Sequence, residues 1–150
     1  MTQEERFMKE ALKEAEKAAL EGEVPIGCVI VKDGKVISRG RNAREKKKNA
    51  LLHAEMVAID KACRKLGGWR LWQCEMYVTL EPCPMCCGAI INARIPKVYI
   101  GAKDPKGGAM GSILDLTEFP FNHKVDTQFG ILEEECREKL KTFFQNLRKK

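Results

Sequence analysis

The stretch "LEPCPMCCGA" constrains the fold and the chemistry of this chain more than any other segment. Cys83 and Cys86 have the C-x-x-C spacing of a zinc chelate, and Pro82 separates them from a run of residues typical of a strand. The helical pattern from Cys83 to Asn92 places both sulfurs in the first turn of a helix. There they can converge on one ion, and the helix dipole favours their thiolate forms. On its own, this spacing also occurs in redox pairs and by chance.

The cysteine content does not suggest a disulfide framework. The chain has seven cysteines in 150 residues, an odd number, and its first twenty residues are charged and amphipathic, unlike a secretory signal. No apolar run is long enough to cross a bilayer. We therefore expect buried thiols and a metal site in a cytoplasmic protein that does not associate with a membrane.

Apolar periodicity alternates between the strand and the helix period along the chain. It predicts helices over 2–21, 53–66, 83–92 and 132–149, and strands over 25–32, 35–39, 75–80, 97–102 and 124–130. Asp33-Gly34 predicts a hairpin between the first two strands, and the basic run over 44–48 is expected to be a solvated loop. This order predicts one domain over residues 1–150, of the α/β class: a three-layer α/β/α sandwich with a mixed central sheet.

A second informative stretch, "HAE", begins the helix predicted from residue 53. Alone, His53 could be a core histidine, a ligand or an acid-base group. Together with "PCPMC" it resembles the signature of the zinc-dependent nucleoside and nucleobase deaminases. That resemblance implies that His53, Cys83 and Cys86 bind one Zn²⁺ per chain, with the fourth position left for water, and that Glu55 is the catalytic proton shuttle.

Other residues could take these roles. A structural zinc site would need a fourth protein ligand, and Cys74 is one candidate. Cys87 is a poorer one, because it points about 100° around the helix from Cys86. Glu81 is an alternative proton shuttle, but its position before Pro82 favours a role in supporting the turn. His123 could be a ligand by residue type, or could have a surface role.

The resemblance extends over essentially the whole chain. The segments that carry it are "GEVPIG", "WRL", "YVTLEPCPMC", "GAKDPKGGAMGS", "FNHK", "GILEEEC" and "FFQNLR". They resemble the bacterial tRNA-specific adenosine deaminases, in the same order. This implies a cytidine-deaminase-like fold, a homodimer, and conversion of the wobble adenosine of a tRNA anticodon to inosine.

The same resemblance implies a set of substrate-binding residues. Asn42 would hold the target nucleoside, Pro25 and Ile26 would form part of an apolar pocket, Asp104 would lie beside the sugar, and Phe144 would lie near the anticodon loop. From the residues alone, Asn42 and Asp104 could equally be turn residues, and Ile26 and Phe144 could belong to the core.

The charge of the chain is compatible with the implied RNA partner. Its 27 Lys and Arg residues exceed its 21 Asp and Glu residues, giving a formal net charge of +6, although solubility alone could explain this excess. The basic residues over 148–150 and the loop near Lys46 are candidate phosphate contacts. Two alternatives stay open: a deaminase of a free purine base or nucleoside, and a non-catalytic, zinc-stabilised nucleic-acid-binding module.

Overall fold

The computed structural model describes residues 1–149, so Lys150, one of the candidate phosphate contacts, lies outside the described residues. The helices within the described range are α1 (Gln3–Leu20), α2 (Arg44–Lys47), α3 (Ala54–Leu66), α4 (Pro84–Asn92) and α5 (Glu133–Arg148). The strands are β1 (Gly27–Lys32), β2 (Lys35–Arg41), β3 (Cys74–Leu80), β4 (Lys97–Ala102) and β5 (Asp126–Phe129). A turn of 3₁₀ helix spans Leu116–Glu118.

The strands of residues 1–149 form a mixed sheet in the order β2-β1-β3-β4-β5. β1 is antiparallel to both of its neighbours, whereas β3, β4 and β5 are parallel. Asp33 and Gly34 join β1 to β2 with φ angles of 52° and 74°, the left-handed conformation that a two-residue type I′ hairpin requires. As a result, the start of β1 and the ends of β2, β3 and β4 lie at the same edge of the sheet.

Helices cover both faces of this sheet. α1 packs on β1, β2 and β3 and contacts α5, which packs on β4 and β3, while α3 packs on β1 and β2 and contacts α4. Successive strand residues alternate between two cores. Val29 and Tyr77 belong to the core under α1 and α5, whereas Cys28, Ile30 and Val78 belong to the core under α3 and α4. The predicted three-layer α/β/α sandwich with a mixed sheet is confirmed.

Two glycines allow the helices to approach the hairpin closely. A Cβ atom added at Gly27 would lie 1.9 Å from the carbonyl oxygen of Ala11 in α1. One added at Gly40 would lie 2.3 Å from the carbonyl oxygen of Ala54 in α3. A side chain at Gly40 would therefore push the start of α3 away from the sheet.

Residues 44–47 form the short helix α2, in a segment that the sequence predicts to be a loop. The carboxylate of Glu23 accepts hydrogen bonds from the backbone N–H groups of Glu45 (3.2 Å) and Lys46 (2.7 Å), which have no partner inside so short a helix. These partners are far from Glu23 in the sequence, so local pattern does not reveal the helix. None of the helices in residues 1–149 combines the length and the apolar character that crossing a bilayer requires.

Candidate active site

One edge of the sheet gathers the residues of both sequence motifs. His53 and Glu55 are at the start of α3, and Cys83 and Cys86 are at the start of α4. The end of β3 leads into the α4 turn, and the end of β2 leads to Asn42, which contacts the start of α3. Two loops and two helix starts therefore meet at one place.

The three predicted ligands converge in a geometry that suits zinc. His53 Nδ1 lies 3.6 Å from Cys83 Sγ and 3.6 Å from Cys86 Sγ, and all three ligand atoms lie within 4.8 Å of one another. In a tetrahedral zinc site with the usual Zn–N and Zn–S bond lengths, a nitrogen and a sulfur ligand are about 3.6 Å apart. Both nitrogen–sulfur separations therefore match those of a tetrahedral zinc site.

The local backbone explains why these side chains point together. His53 and Cys83 are the N-cap residues of α3 and α4, with extended backbone angles, and neither side chain makes a capping hydrogen bond. Their side chains are therefore free to bind an ion. Pro84 occupies the first helical turn, where its missing N–H has no cost, and Cys86 lies one turn into the helix.

The surroundings of the two sulfurs shift their pKa values in opposite directions. A hydrogen bond from the Cys86 thiol lowers the pKa of Cys83 to about 5, assisted by the backbone N–H groups of Cys86 and Met85 and by His53. The same hydrogen bond, followed by burial, raises the pKa of Cys86. A divalent cation bound between the two sulfurs would stabilise both in their thiolate form.

Glu55 is a buried carboxyl group beside these sulfurs, with 4% of its surface exposed. Burial raises its pKa to about 7, and the charge of Cys83 contributes to the rise. A carboxyl group with a pKa near neutrality can both accept and donate a proton at the same pH, which is the requirement for a proton shuttle.

No further protein ligand joins the site within residues 1–149, where the three predicted ligands are the only group of three or more that could hold an ion. Cys74 and Cys87, the candidates for a fourth ligand, are buried in the apolar core under α3 and α4. His123 Nε2 lies 2.8 Å from the carbonyl oxygen of Ile95. Three candidate protein ligands within the described residues is the number typical of hydrolytic zinc centres, which keep the fourth position for water.

Glu81 is not available as a proton shuttle. Its carboxylate accepts hydrogen bonds from the backbone N–H groups of Asp104, Met110 and Ser112, each at 3.0 Å. The hydroxyl of Ser112 donates to it as well. It supports the turn and the loop over 103–112.

Asn42 and Ile26 lie beside the start of α3. The Asn42 side-chain oxygen accepts a hydrogen bond from the N–H of Ala54 at 2.9 Å, and the backbone N–H of Asn42 donates to the carbonyl oxygen of Ile26 at 3.3 Å. Ile26 is partly buried against the core under α3 and α4. Because the side-chain oxygen of Asn42 is engaged, its amide NH₂ is the group that a ligand could use.

Asp104 shapes its own loop. Its Oδ1 atom accepts hydrogen bonds from the N–H groups of Lys106 (3.0 Å) and Gly107 (3.1 Å), the pattern of an Asx turn. The loop also lies against the turn that carries Cys83, because Ala109 donates its N–H to the carbonyl oxygen of Pro82 at 2.9 Å. The second carboxylate oxygen of Asp104, Oδ2, takes no part in the hydrogen bonds of this turn.

The structure does not bring Pro25 and Phe144 together with the metal ligands. Pro25 is buried and lines a groove between α1 and α5. Phe144 is 41% exposed on α5 and packs edge-on against Phe143. Both therefore belong to the side of the sheet that faces away from α3 and α4.

The basic loop is partly neutralised by acidic residues that the sequence does not connect with it. Lys46 Nζ lies 3.0 Å from a carboxylate oxygen of Glu21, and Arg41 pairs with both Glu21 and Glu14. These two cations lower the pKa of Glu21 to about 2, Arg41 more strongly than Lys46. Lys46 is therefore a weaker candidate for a phosphate contact than an unpaired lysine would be.

The sequence model of the cytidine and deoxycytidylate deaminase zinc-binding region matches residues 1–102, which contain the three predicted ligands and Glu55. The chain belongs to this deaminase family. It is 54% identical to the tRNA-specific adenosine deaminase of Bacillus subtilis (strain 168) over 151 residues, covering 100% of this chain and 94% of that relative. It is 50% identical to the tRNA-specific adenosine deaminase of Streptococcus pyogenes serotype M1 over 145 residues, covering 96% and 85%.

A similar solved structure belongs to the same family. It comes from biochemical and structural studies of adenosine-to-inosine editing by tRNA deaminases at the wobble position of transfer RNA. Its TM-score is 0.88 at 46% identity, and the match covers 90% of this deaminase and 99% of that chain. The predicted family, the cytidine-deaminase-like fold and the zinc-dependent hydrolytic class are confirmed.

Proposed function

We propose that this enzyme converts the adenosine at the wobble position of a tRNA anticodon to inosine by hydrolytic deamination. The observation that carries the proposal is a set of three converging ligands beside a buried carboxyl group, in a chain that aligns over its whole length with a relative named for this substrate. A structural zinc site has four protein ligands, so a set of three favours a catalytic site.

In this proposal, His53, Cys83 and Cys86 hold the metal and Glu55 moves the protons. Bound zinc supplies a Lewis acid that makes a water molecule nucleophilic near neutral pH. Glu55 accepts a proton from the attacking water and delivers it to the adenine ring nitrogen next to the carbon that carries the amino group. It then delivers the second water proton to the leaving amine. Water and adenosine thus give inosine and ammonia.

The surrounding residues would hold the nucleotide. The Asn42 amide, next to the start of α3, can donate to the target nucleoside, and Ile26 offers an apolar contact nearby. Asp104 can accept a hydrogen bond from the 2′-OH, the group that distinguishes RNA from DNA. Pro25 and Phe144 would contact more distant parts of the RNA, because they lie on the other side of the sheet.

An anticodon loop suits such a site, because its bases can leave the stack at low cost. Exposed Arg148 and Lys149 at the end of α5 would contact phosphates, and a homodimer would extend the basic surface. The side chain of Leu51, next to the site and 55% exposed, is an apolar contact that a second copy could cover. We also propose a cytoplasmic location for the protein, and that residues 1–150 form one deaminase domain.

Nucleoside analysis of purified protein incubated with defined substrates tests the proposal. One anticodon stem-loop has adenosine at the wobble position, and a matched stem-loop has it one position away. Free adenosine, guanine and cytidine are the remaining substrates. We expect inosine from the first RNA alone. Ammonia from a free purine, with no inosine in RNA, would instead indicate a free-purine deaminase. A zinc-loaded protein that deaminates nothing would indicate a binding module.

A further inference from the structure

Glu81 is a buried carboxylate whose hydrogen-bond partners are all donors from a distant loop. It is 3% exposed. Its Oε1 atom accepts from the N–H of Asp104 and the hydroxyl of Ser112, and its Oε2 atom accepts from the N–H groups of Met110 and Ser112. Both oxygens are thus used twice, and the charged acceptor replaces the secondary structure that this loop lacks.

The same residue lies between the strand ends and the metal ligands. Its backbone N–H donates to the carbonyl oxygen of Ala102 at 2.9 Å, at the end of β4. Cys83 follows two residues later. The carbonyl oxygen of the intervening Pro82 accepts a hydrogen bond from the N–H of Ala109. Glu81 therefore connects the turn that carries a metal ligand with the loop that carries Asp104.

Gly108 makes room for this carboxylate. A Cβ atom at this position would lie 2.3 Å from Cδ of Glu81, and 2.4 and 2.6 Å from its two oxygens. Gly108 has no positive φ angle to explain a glycine. The requirement is therefore space for the carboxylate, and the loop is built around it.

We propose that Glu81 is a positioning residue for the substrate: it fixes the loop over 103–112, and Asp104 above all, against the turn of the metal centre. This inference rests on the proposed function, in which Asp104 accepts a hydrogen bond from the sugar of the target nucleotide. Among residues 1–149, the Glu81 carboxylate makes its hydrogen bonds to the loop over 103–112 and none to the three predicted metal ligands. It sets where the nucleotide binds, so its loss should affect substrate binding more than turnover.

The variant Glu81→Gln separates these effects. The glutamine side chain has one NH₂ group, and in either orientation this group replaces an oxygen that accepted hydrogen bonds. The less costly orientation places the NH₂ group at the Oε1 position, near the Ser112 hydroxyl, because a hydroxyl can also accept a hydrogen bond. That orientation keeps the Met110 and Ser112 N–H bonds and releases the N–H of Asp104. We expect amide hydrogen exchange at Asp104, measured by NMR, to accelerate by about 10- to 100-fold. For the wobble stem-loop, we expect kcat/KM to fall by about 10- to 100-fold, mostly through KM.

Two further variants control the result. Glu75→Gln makes the same chemical change within β3, the strand that ends just before Glu81, and should alter neither exchange nor KM. Gly108→Ala keeps the charge and displaces the carboxylate, so it should raise KM as Glu81→Gln does. Zinc content and thermal unfolding are measured for every variant.

The outcomes are distinguishable. If the wild type forms no inosine in RNA, the proposed function is wrong. If the wild type is active and Glu81→Gln changes neither the exchange at Asp104 nor KM, the positioning role is wrong. A loss confined to kcat and accompanied by loss of zinc would also overturn it, because Glu81 would then act through the metal turn alone.

Discussion

The starts of α3 and α4 differ sharply from the end of α5. At the helix starts, the ligand atoms of His53, Cys83 and Cys86 converge to within 4.8 Å, and Glu55 is buried beside them. Phe144 at the end of α5 is 41% exposed and has a neighbouring phenylalanine as its aromatic contact. One region is organised before any substrate arrives, whereas the other offers surface to a partner.

This difference separates the chemistry from the choice of substrate. Groups that bind a metal and move protons must be held in fixed positions, because small displacements cost large factors in rate. Groups that contact a long RNA can be spread over an exposed surface, where each contributes a modest part of the affinity. We therefore expect substitutions in the first region to abolish turnover, and those in the second to change affinity and preference.

The largest effect is expected for Cys86→Ala. Two ligands cannot complete the site, so the variant should lose zinc and all detectable turnover, as elemental analysis and inosine formation will show. Cys74→Ala is the matched control, because Cys74 is buried in the core under α3 and α4. It should keep zinc and activity and lose only about 1 kcal/mol of stability. Loss of zinc from Cys74→Ala would make the site a structural one.

Glu55→Ala should remove turnover while leaving the metal in place. Loss of a general acid-base group costs about 10²- to 10⁴-fold in rate, and this one serves more than one proton transfer. The measurement is kcat on the wobble stem-loop, together with zinc content and thermal unfolding. Retained activity at full zinc occupancy would assign the shuttle to another group.

Binding to tRNA should weaken steeply with salt, and the charges at the end of α5 should account for part of that dependence. Each phosphate contact contributes roughly −0.7 to −0.9 to the slope of log K against log salt. Replacing Arg148, Lys149 and Lys150 by alanine should therefore flatten the slope by about 2. Lys46→Ala should have less effect, because Lys46 is paired with Glu21. Affinity that does not depend on salt would favour a free-purine substrate.

The smallest effect is expected for Asp104→Asn. Asparagine can keep the hydrogen bonds from Lys106 and Gly107, so the loop should retain its turn. The change removes a negative charge and replaces one hydrogen-bond acceptor by a donor. The activity of the variant on the RNA loop should therefore fall by a few-fold, and its activity on a DNA copy of the loop should rise. The ratio of kcat/KM for the two substrates is measured in wild type and variant. If both values fall together, Asp104 only shapes the loop.

The sequence alone predicts those structural features that depend on residues close together in the chain. The hairpin at Asp33-Gly34 and the pairing of Cys83 with Cys86 at a helix start are local, and the structure contains both. The meeting of His53 with these cysteines is a long-range contact that periodicity does not show. It could be predicted only because the combined motif resembles a known family.

The features that the sequence misses depend on distant partners. Helix α2 forms because Glu23 binds its free N–H groups, and Glu23 belongs to another segment. The role of Glu81 likewise depends on hydrogen-bond donors more than twenty residues away. The local motif alone therefore does not decide whether Glu81 is a proton shuttle or a residue that supports the turn. Pro25 is adjacent to Ile26 in the sequence, yet it lines the groove between α1 and α5.

The dependence of inosine formation on bound zinc tests the catalytic role of the three-ligand site most directly. Metal-free protein is titrated with zinc, and the inosine formed in the wobble stem-loop is measured in the same samples as the zinc bound per chain. Catalysis at this site predicts activity that rises in proportion to bound zinc and reaches its maximum at one zinc per chain. Full activity in the metal-free protein, or full zinc occupancy without inosine, would contradict it.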